Sequence, residues 1–239
     1  MLLYLDSRHR SNPTQDNGSS TFALTAPLHK VRSVELVSAV LPHSFYTVPE
    51  GKNTFILSIS GLASATISIP VGIYTLTSLA ASLQTSINVS GLAVAASLTT
   101  LKLTFTYTSA AFSVTPQSDL MGALLGLAPN IAHTSSANKV TSASCCELTP
   151  QCIHLTSKKL GSSYTSGTGR ELPSTFTIPI TEDAGSVIVF NNESSYRQKK
   201  NYPTTKDIGG ELDITMRDAH GSVLNFNGLN WSVVLRIEQ

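Results

Sequence analysis

The stretch Val31 to Val48, VRSVELVSAVLPHSFYTV, constrains the fold more than any other, because a long apolar run must be buried somewhere. It is broken only by Arg32, Glu35, His43 and a few small hydroxyl residues. Pattern alone leaves its type open. Val31, Val34, Val37 and Leu41 fit a helical stripe, while Val34, Leu36 and Val40 fit one face of a strand. Composition decides for strand: five of the residues are valine, Pro27 stands just before the run, and Pro42 would cost about 3 kcal/mol inside a helix. The expectation is a long strand, bent near Pro42. Leu36 to Leu41 is apolar on both faces, which suits a strand covered on both sides.

Around this run the chain reads mostly as strands. Leu2 to Leu5 is a short apolar segment, and SRHRSNPTQDNGSS after it is polar and turn-rich, so residues 1–20 read as an N-terminal arm that orders only against a partner. Phe22 to Leu28 is the first strand expected in the main sheets. Thr54 to Ile59 and Thr66 to Ile69 follow as strands. Thr75 to Asn88 is a helix, with Leu76, Leu79, Leu83 and Ile87 at helical spacing. Thr75 serves as N-cap, Tyr74 with Leu79 as the staple, and Asn88 with Gly91 as the stop. Leu101, Leu103, Phe105 and Tyr107 share one face of a half-buried strand. Phe112 and Val114 open another, and Asp119 to Leu127 is a short helix or turn ended by Pro129.

Further strands are expected at Ala137 to Cys145, Leu148 to Thr156, Thr175 to Ile180, Ser186 to Asn191, Glu211 to Arg217 and Leu229 to Ile237. Leu212, Ile214 and Met216 should point inward, and Trp231, Val233, Leu235 and Ile237 share one face of the last strand. Asn227-Gly228 is the strongest hairpin signal. Outside the middle segment this makes about eight strands, the number of a jelly roll. The expected fold is therefore all-β: a single jelly-roll sandwich formed by residues 1–48 and 137–239. A small α+β subdomain, residues 49–136, is inserted after the second strand.

Several of these stretches carry a resemblance. YLDSRHR, FALTAPLHKVRSVELVSAVLPHSFYTV and NTF, then IPVGIYTLTSLAASL and LLGL, and finally DITMRDAHGSVLNFNGLNWSVVLRIEQ, resemble the penton or minor capsid proteins of virophages, polinton-like viruses and their giant-virus relatives. The resemblance implies a single jelly roll whose insertions decorate the outside. It implies a structural protein, most often the penton at the five-fold vertices of an icosahedral shell, with double-jelly-roll major capsid proteins and minor capsid proteins as neighbours. The alternative is a minor capsid protein or a glycan-binding attachment or fibre module.

Composition supports a subunit covered by neighbours. Charged residues make up 13% of the 239, about half the usual share, and aromatics 7%. Serine and threonine take their place. The net charge of +1 shows no polyanion-binding balance. Three clustered cysteines form a poor disulfide framework and fit a reducing compartment. Met1 to Leu5 is too short for a signal-peptide core, and no run is long enough to span a membrane, so synthesis in the host cytoplasm is expected, followed by incorporation in the virion.

A search for chemistry returns little. Cys145, Cys146, Cys152 and His154 are zinc-type ligands, but they lack paired C-x-x-C spacing, and adjacent Cys145 and Cys146 would face opposite ways on a strand. No G-x-S-x-G or H-E-x-x-H occurs, and Gly167 and Gly169 open no helix after a strand. His9, His29, His43, His133 and His220 are scattered singly. No catalytic residue, cofactor or metal is expected. Tyr196, Arg197, Lys199, Lys200 and Tyr202 interleave aromatics with cations, yet SSYRQKKNYPTTKD reads as an exposed loop, leaving at most a non-specific genome contact. The candidate contacts between subunits of a homopentamer are Arg8, His9 and Arg10 in the arm and Arg197, Lys199 and Lys200 in that loop.

Overall fold

A computed structural model of the protein describes residues 1–12, 18–148, 150–161, 175–192 and 197–239, together with the backbone of 164–165 and 171–172. The chain divides into two compact units, Met1–Phe45 with Pro150–Gln239, and Tyr46–Thr149. The first unit begins with strands β1 (Leu2–Asp6), β2 (Ser19–Ala23) and β3 (Leu28–Pro42). The second holds β4 (Thr54–Ile59), β5 (Ala65–Ser68), α1 (Leu76–Ile87), β6 (Leu92–Ser97), β7 (Lys102–Tyr107), β8 (Phe112–Pro116), α2 (Asp119–Leu125), β9 (His133–Thr134) and β10 (Lys139–Thr141). The first unit then resumes with β11 (Cys152–Thr156), the short pair β12 (Tyr164–Thr165) and β13 (Glu171–Leu172), and β14 (Phe176–Pro179). It ends with β15 (Val187–Asn191), β16 (Lys199–Ile208), β17 (Glu211–Arg217) and β18 (Ser232–Glu238).

The pairing in the first unit is nested. β1 pairs with β18, β2 with β17, β3 with both β15 and β16, and β11 with β14, all antiparallel. Such a chain is one long hairpin rolled up so that successive pairs fall in alternate sheets. One sheet accordingly runs β1-β18-β3 with β15 and β16 along the far side of β3, and the other runs β14-β11-β17-β2. Counting β15 and β16 as one position, this is an eight-stranded jelly roll. Its core takes every second residue from each strand. Leu212, Ile214 and Met216 of β17 and Val233 and Leu235 of β18 are fully buried, and Trp231 meets Phe22 edge-on at 5.8 Å between ring centroids.

The long apolar run does form a long strand, but it ends at Pro42 instead of bending there and continuing to Val48. Val37 is an extra residue in β3: Val234 of β18 stands opposite Ser38 and Leu235 opposite Leu36. Buried apolar residues consequently fall at 28, 31, 34, 36, 39 and 41, a spacing of three and two that imitates a helix. The bulge also marks where the partner changes, from β16 on Leu28–Glu35 to β15 on Ser38–Pro42.

Five other expectations need correction. Residues 1–12 are not an arm: β1 is the outermost strand of the first sheet, and Leu5 is 3% exposed in the core. The Ser7 backbone N–H donates to the Trp231 carbonyl at 2.9 Å, and its buried hydroxyl accepts the Trp231 N–H at 2.9 Å. Residues 13–17 of the arm lie outside the described residues, and its last two, Ser19 and Ser20, open β2. Because β1 is a sandwich strand, the Tyr46–Thr149 unit follows the third strand, not the second. Residues 137–148 belong to that unit, since β10 pairs with β7. Lys199–Ile208, expected as loop, is an edge strand whose polar sequence hides its pairing; Pro203 and a register shift between Asn201 and Lys206 interrupt its ladder. Finally, Asn227 and Gly228 do turn with positive φ, 52° and 80°, but no hairpin results because β17 and β18 belong to different sheets.

The Tyr46–Thr149 unit has a core of its own. It combines the sheets β5-β4-β8-β9 and β10-β7-β6 with the two helices. Leu76, Leu79, Leu83 and Ile87 are the buried stripe of α1. Thr75 and Ser78 form a reciprocal capping box at its start, and Asn88 ends it in the left-handed region at φ 44°. Alanine-rich β6, LAVAAS, carries no strong strand signal in its sequence. Gly126 ends α2 at φ 63°, and a Cβ there would lie 2.4 Å from the Ser144 carbonyl. The Ser142 hydroxyl donates to the Leu125 carbonyl at 2.6 Å, tying the segment after β10 to the same core.

Candidate assembly surface

The first sheet turns one face to the core and the other to solvent, and the solvent face is unusually apolar. Register puts Leu2 and Tyr4 of β1, Ser232 and Val234 of β18, Ser38 and Val40 of β3, and Val187 and Val189 of β15 on it together. Leu2 is 63% exposed, Tyr4 59%, Val189 56%, Val187 54% and Val40 42%. An ordinary one-sided antiparallel sheet alternates apolar and polar residues. Here VIVFN in β15 and LVSAVL in β3 are apolar on both faces, which is the two-sided cover expected from sequence with one side left open.

The charges of this face are neutralised within it. Asp6, nearly buried, accepts hydrogen bonds from the Arg8 backbone and from Arg8 Nη2 at 2.6 Å. The Arg8 hydrogen bonds hold its carboxyl down at about 2 against the opposing cost of burial. At the opposite end, buried Glu35 accepts from Arg236 Nη1 at 2.9 Å and from Asn192 Nδ2 at 2.7 Å. Glu238 accepts from Lys199 Nζ and from the Ser33 hydroxyl, both at 2.7 Å, and Lys199 above all lowers its pKa. Tyr4, Asp6, Arg8, Val40, Asn230 and Ser232 line an open depression at the Arg8 end.

The residues singled out from sequence are thus dispersed. Arg8 and Lys199 share the outer face, six residues apart along β18 and so about 20 Å from each other. Arg10 bends back to donate to the Ser7 carbonyl at 2.8 Å. His9 and Arg197 are exposed. Lys200 points elsewhere, over the ring of Tyr202. Sequence reasoning looked for charges and passed over Leu2, Tyr4, Val187 and Val189, although two-sided apolarity in short strands was the signal available.

Of the zinc-type residues, Cys152 and His154 share a strand face with Sγ and Nε2 3.4 Å apart, and the His154 Nδ1 meets the Thr177 hydroxyl at 3.3 Å. Burial lowers the His154 pKa, with Asp218 opposing. Cys145 is exposed and Cys146 buried. Among the described residues no three His, Cys, Asp or Glu side chains come together in a way that would hold a metal ion.

No protein-family model and no curated protein matches the sequence. Solved structures do. The chain is similar over its whole length to a penton protein. The crystal structure of selenomethionine-labelled mavirus penton protein aligns with 100% of this chain and 99% of its own at 11% identity and a TM-score of 0.50. At that identity the likeness establishes the fold, and nested pairing of the strands gives the same fold independently. No helix among the described residues is long and apolar enough to cross a membrane.

Proposed function

We propose that the protein is a structural subunit of a viral capsid, forming the pentameric vertex of an icosahedral shell, and not an enzyme. The observation that supports this best is the full-length likeness to a penton protein, joined to a sheet face that is apolar, exposed and without net charge. A monomer leaves that face wet at a cost of about 25 cal/mol per Å² of apolar area. A charged partner would find its counter-charges already engaged. A further copy of this low-charge chain would not.

Five copies close a ring by repeating one heterologous contact, the outer face of the first sheet against the flank of the next subunit. Four strands about 4.8 Å apart and seven residues at about 3.3 Å make a face of roughly 450 Å² in projection. A stable interface buries about 800 Å² per partner, so loops beside the sheet must supply the rest. Arg8 and Lys199 lie at the two ends of this face and His9 beside it; with Arg10 and Arg197 they are the polar rim of subunit contacts, while Lys200, turned over Tyr202, is not part of it. Double-jelly-roll major capsid proteins and minor capsid proteins surround the ring in the virion, after synthesis in the host cytoplasm.

The test is the mass of the purified protein in solution. A ring has five times the 25.4 kDa of one chain. Val40→Lys with Val189→Lys should leave a folded monomer, because both side chains already face solvent. A wild-type protein that stays monomeric or trimeric at high concentration overturns the vertex assignment. A ring that survives the double substitution overturns the choice of face alone.

A further inference from the structure

Two lysines of the edge strand β16 share one aromatic ring. Lys200 Nζ and Lys206 Nζ are each 5.8 Å from the centroid of Tyr202. Neither ammonium has an acidic partner among the described residues. Both are partly buried, in contrast to the exposed Lys199 beside them, whose charge Glu238 neutralises. Burial lowers the Lys200 pKa, and repulsion from Lys206 lowers it further.

Among the described residues, the surroundings do not relieve that repulsion. The Tyr202 hydroxyl donates to the Leu160 carbonyl at 2.8 Å, and burial pushes its pKa up to about 12, so the phenol stays neutral. The Ser157–Gly161 turn closes in from the side of Lys206: a Cβ on Gly161, at φ 52°, would stand 3.3 Å from Lys206 Nζ. This turn brings two more cations, the exposed Lys158 and Lys159. The one carboxylate it engages, Asp213, already accepts from the Ser157 hydroxyl and from the backbone N–H groups of Lys158 and Lys159.

We propose that Lys200 and Lys206 form a binding site for a phosphate-class oxyanion beside the Tyr202 ring that both ammoniums approach. Two ammoniums with no acidic partner among the described residues select charge over shape. A single carboxylate leaves one of them uncompensated, whereas a tetrahedral dianion, or two successive phosphodiesters, answers both. Lysine suits this because its ammonium is a point charge with three rotatable donors and makes no bidentate demand. The ring covers one side of each ammonium, so an anion there meets charges already partly withdrawn from solvent. The site is independent of the assembly surface and of the capsid reading.

Acylation footprinting of the intact wild-type chain tests this without any variant. Inorganic phosphate and sulfate should slow modification of Lys200 and Lys206 relative to exposed Lys139, and acetate at matched ionic strength should not. A short oligothymidylate separates the sources. Protection by phosphate with none by the oligonucleotide assigns a free anion. Protection by the oligonucleotide at lower concentration, with a salt slope that drops by about 1.4 in Lys200→Gln/Lys206→Gln, assigns a nucleic-acid backbone. Lys199→Gln should leave either result unchanged. Equal modification with and without phosphate, sulfate and oligonucleotide overturns the proposal, and so does equal protection by acetate.

Discussion

Deleting Met1 to Asp6 separates an arm from a strand, and the structure gives the size of the effect. The deletion removes all five residues that pair with β18, from Leu2 opposite Arg236 to Asp6 opposite Ser232. Their ladder hydrogen bonds are worth about 0.5–1.5 kcal/mol each, but releasing the same residues returns about 1–2 kcal/mol each of chain entropy. Those two terms nearly cancel. What remains is apolar burial: about 2–3 kcal/mol for Leu5, 3% exposed, and about 1 kcal/mol for the partly buried Leu3. The net loss is about 3–4 kcal/mol, set against a total stability of about 5–15 kcal/mol. Trp231, the single tryptophan and 2% exposed in the sandwich core, reports unfolding of this unit directly. With a urea slope near 2 kcal/mol/M, the fluorescence midpoint should fall by about 1.5–2 M. The truncated protein should also aggregate more readily, because β18 becomes a bare edge. A midpoint unchanged to within about 0.3 M would mean that residues 1–6 lie outside the sandwich after all, and the reasoning would fail.

Three further outcomes are expected. Because Asp6 is held at about 2 by Arg8, its pairing stabilises the sandwich at neutral pH and is lost as pH falls from 3.8 towards that value. With Arg8 64% exposed, solvent screening limits the effect to about 1 kcal/mol, and Arg8→Ala should make the acid limb of Trp231 fluorescence shallower; an unaltered limb counts against the pair. A thiol reagent should modify exposed Cys145 first and Cys146 last, since burial raises the Cys146 thiol; peptide mapping that finds Cys146 first refutes that order. The segment Tyr46–Thr149, expressed alone, should unfold cooperatively because α1, α2, β4, β7 and β8 enclose its own core; a chain without dispersed amide resonances would show that it depends on the sandwich.

Periodicity carried through wherever a strand keeps one phase. Leu212, Ile214 and Met216, expected inward from alternation, are buried, and so are Trp231, Val233, Leu235 and Ile237, which alternation puts together on one face. The α1 helix was legible from its stripe and its caps, since both depend on neighbours within four residues. Pairing partners were not legible. β3 hid its bulge at Val37 as an apparent helical stripe, and β16 hid its strand under lysines and a proline. Asn227-Gly228 specified a turn but could not say which sheets its flanks would join.

Composition and alternation, which act over a few residues, were enough to make this chain a strand-rich sandwich whose long strand is apolar on both faces. Only the tertiary structure decided that β1 closes the first sheet, that β15 and β16 divide β3 between them, and that Val40, Val187 and Val189 meet on one open face. Those facts rest on contacts between residues far apart in the chain. Leu2 lies opposite Arg236, and Val40 touches both Ser232 and Val189. Whether a two-sided apolar strand finds its second cover within the chain or waits for another copy depends on how many sheets the chain can stack, and no local pattern records that number.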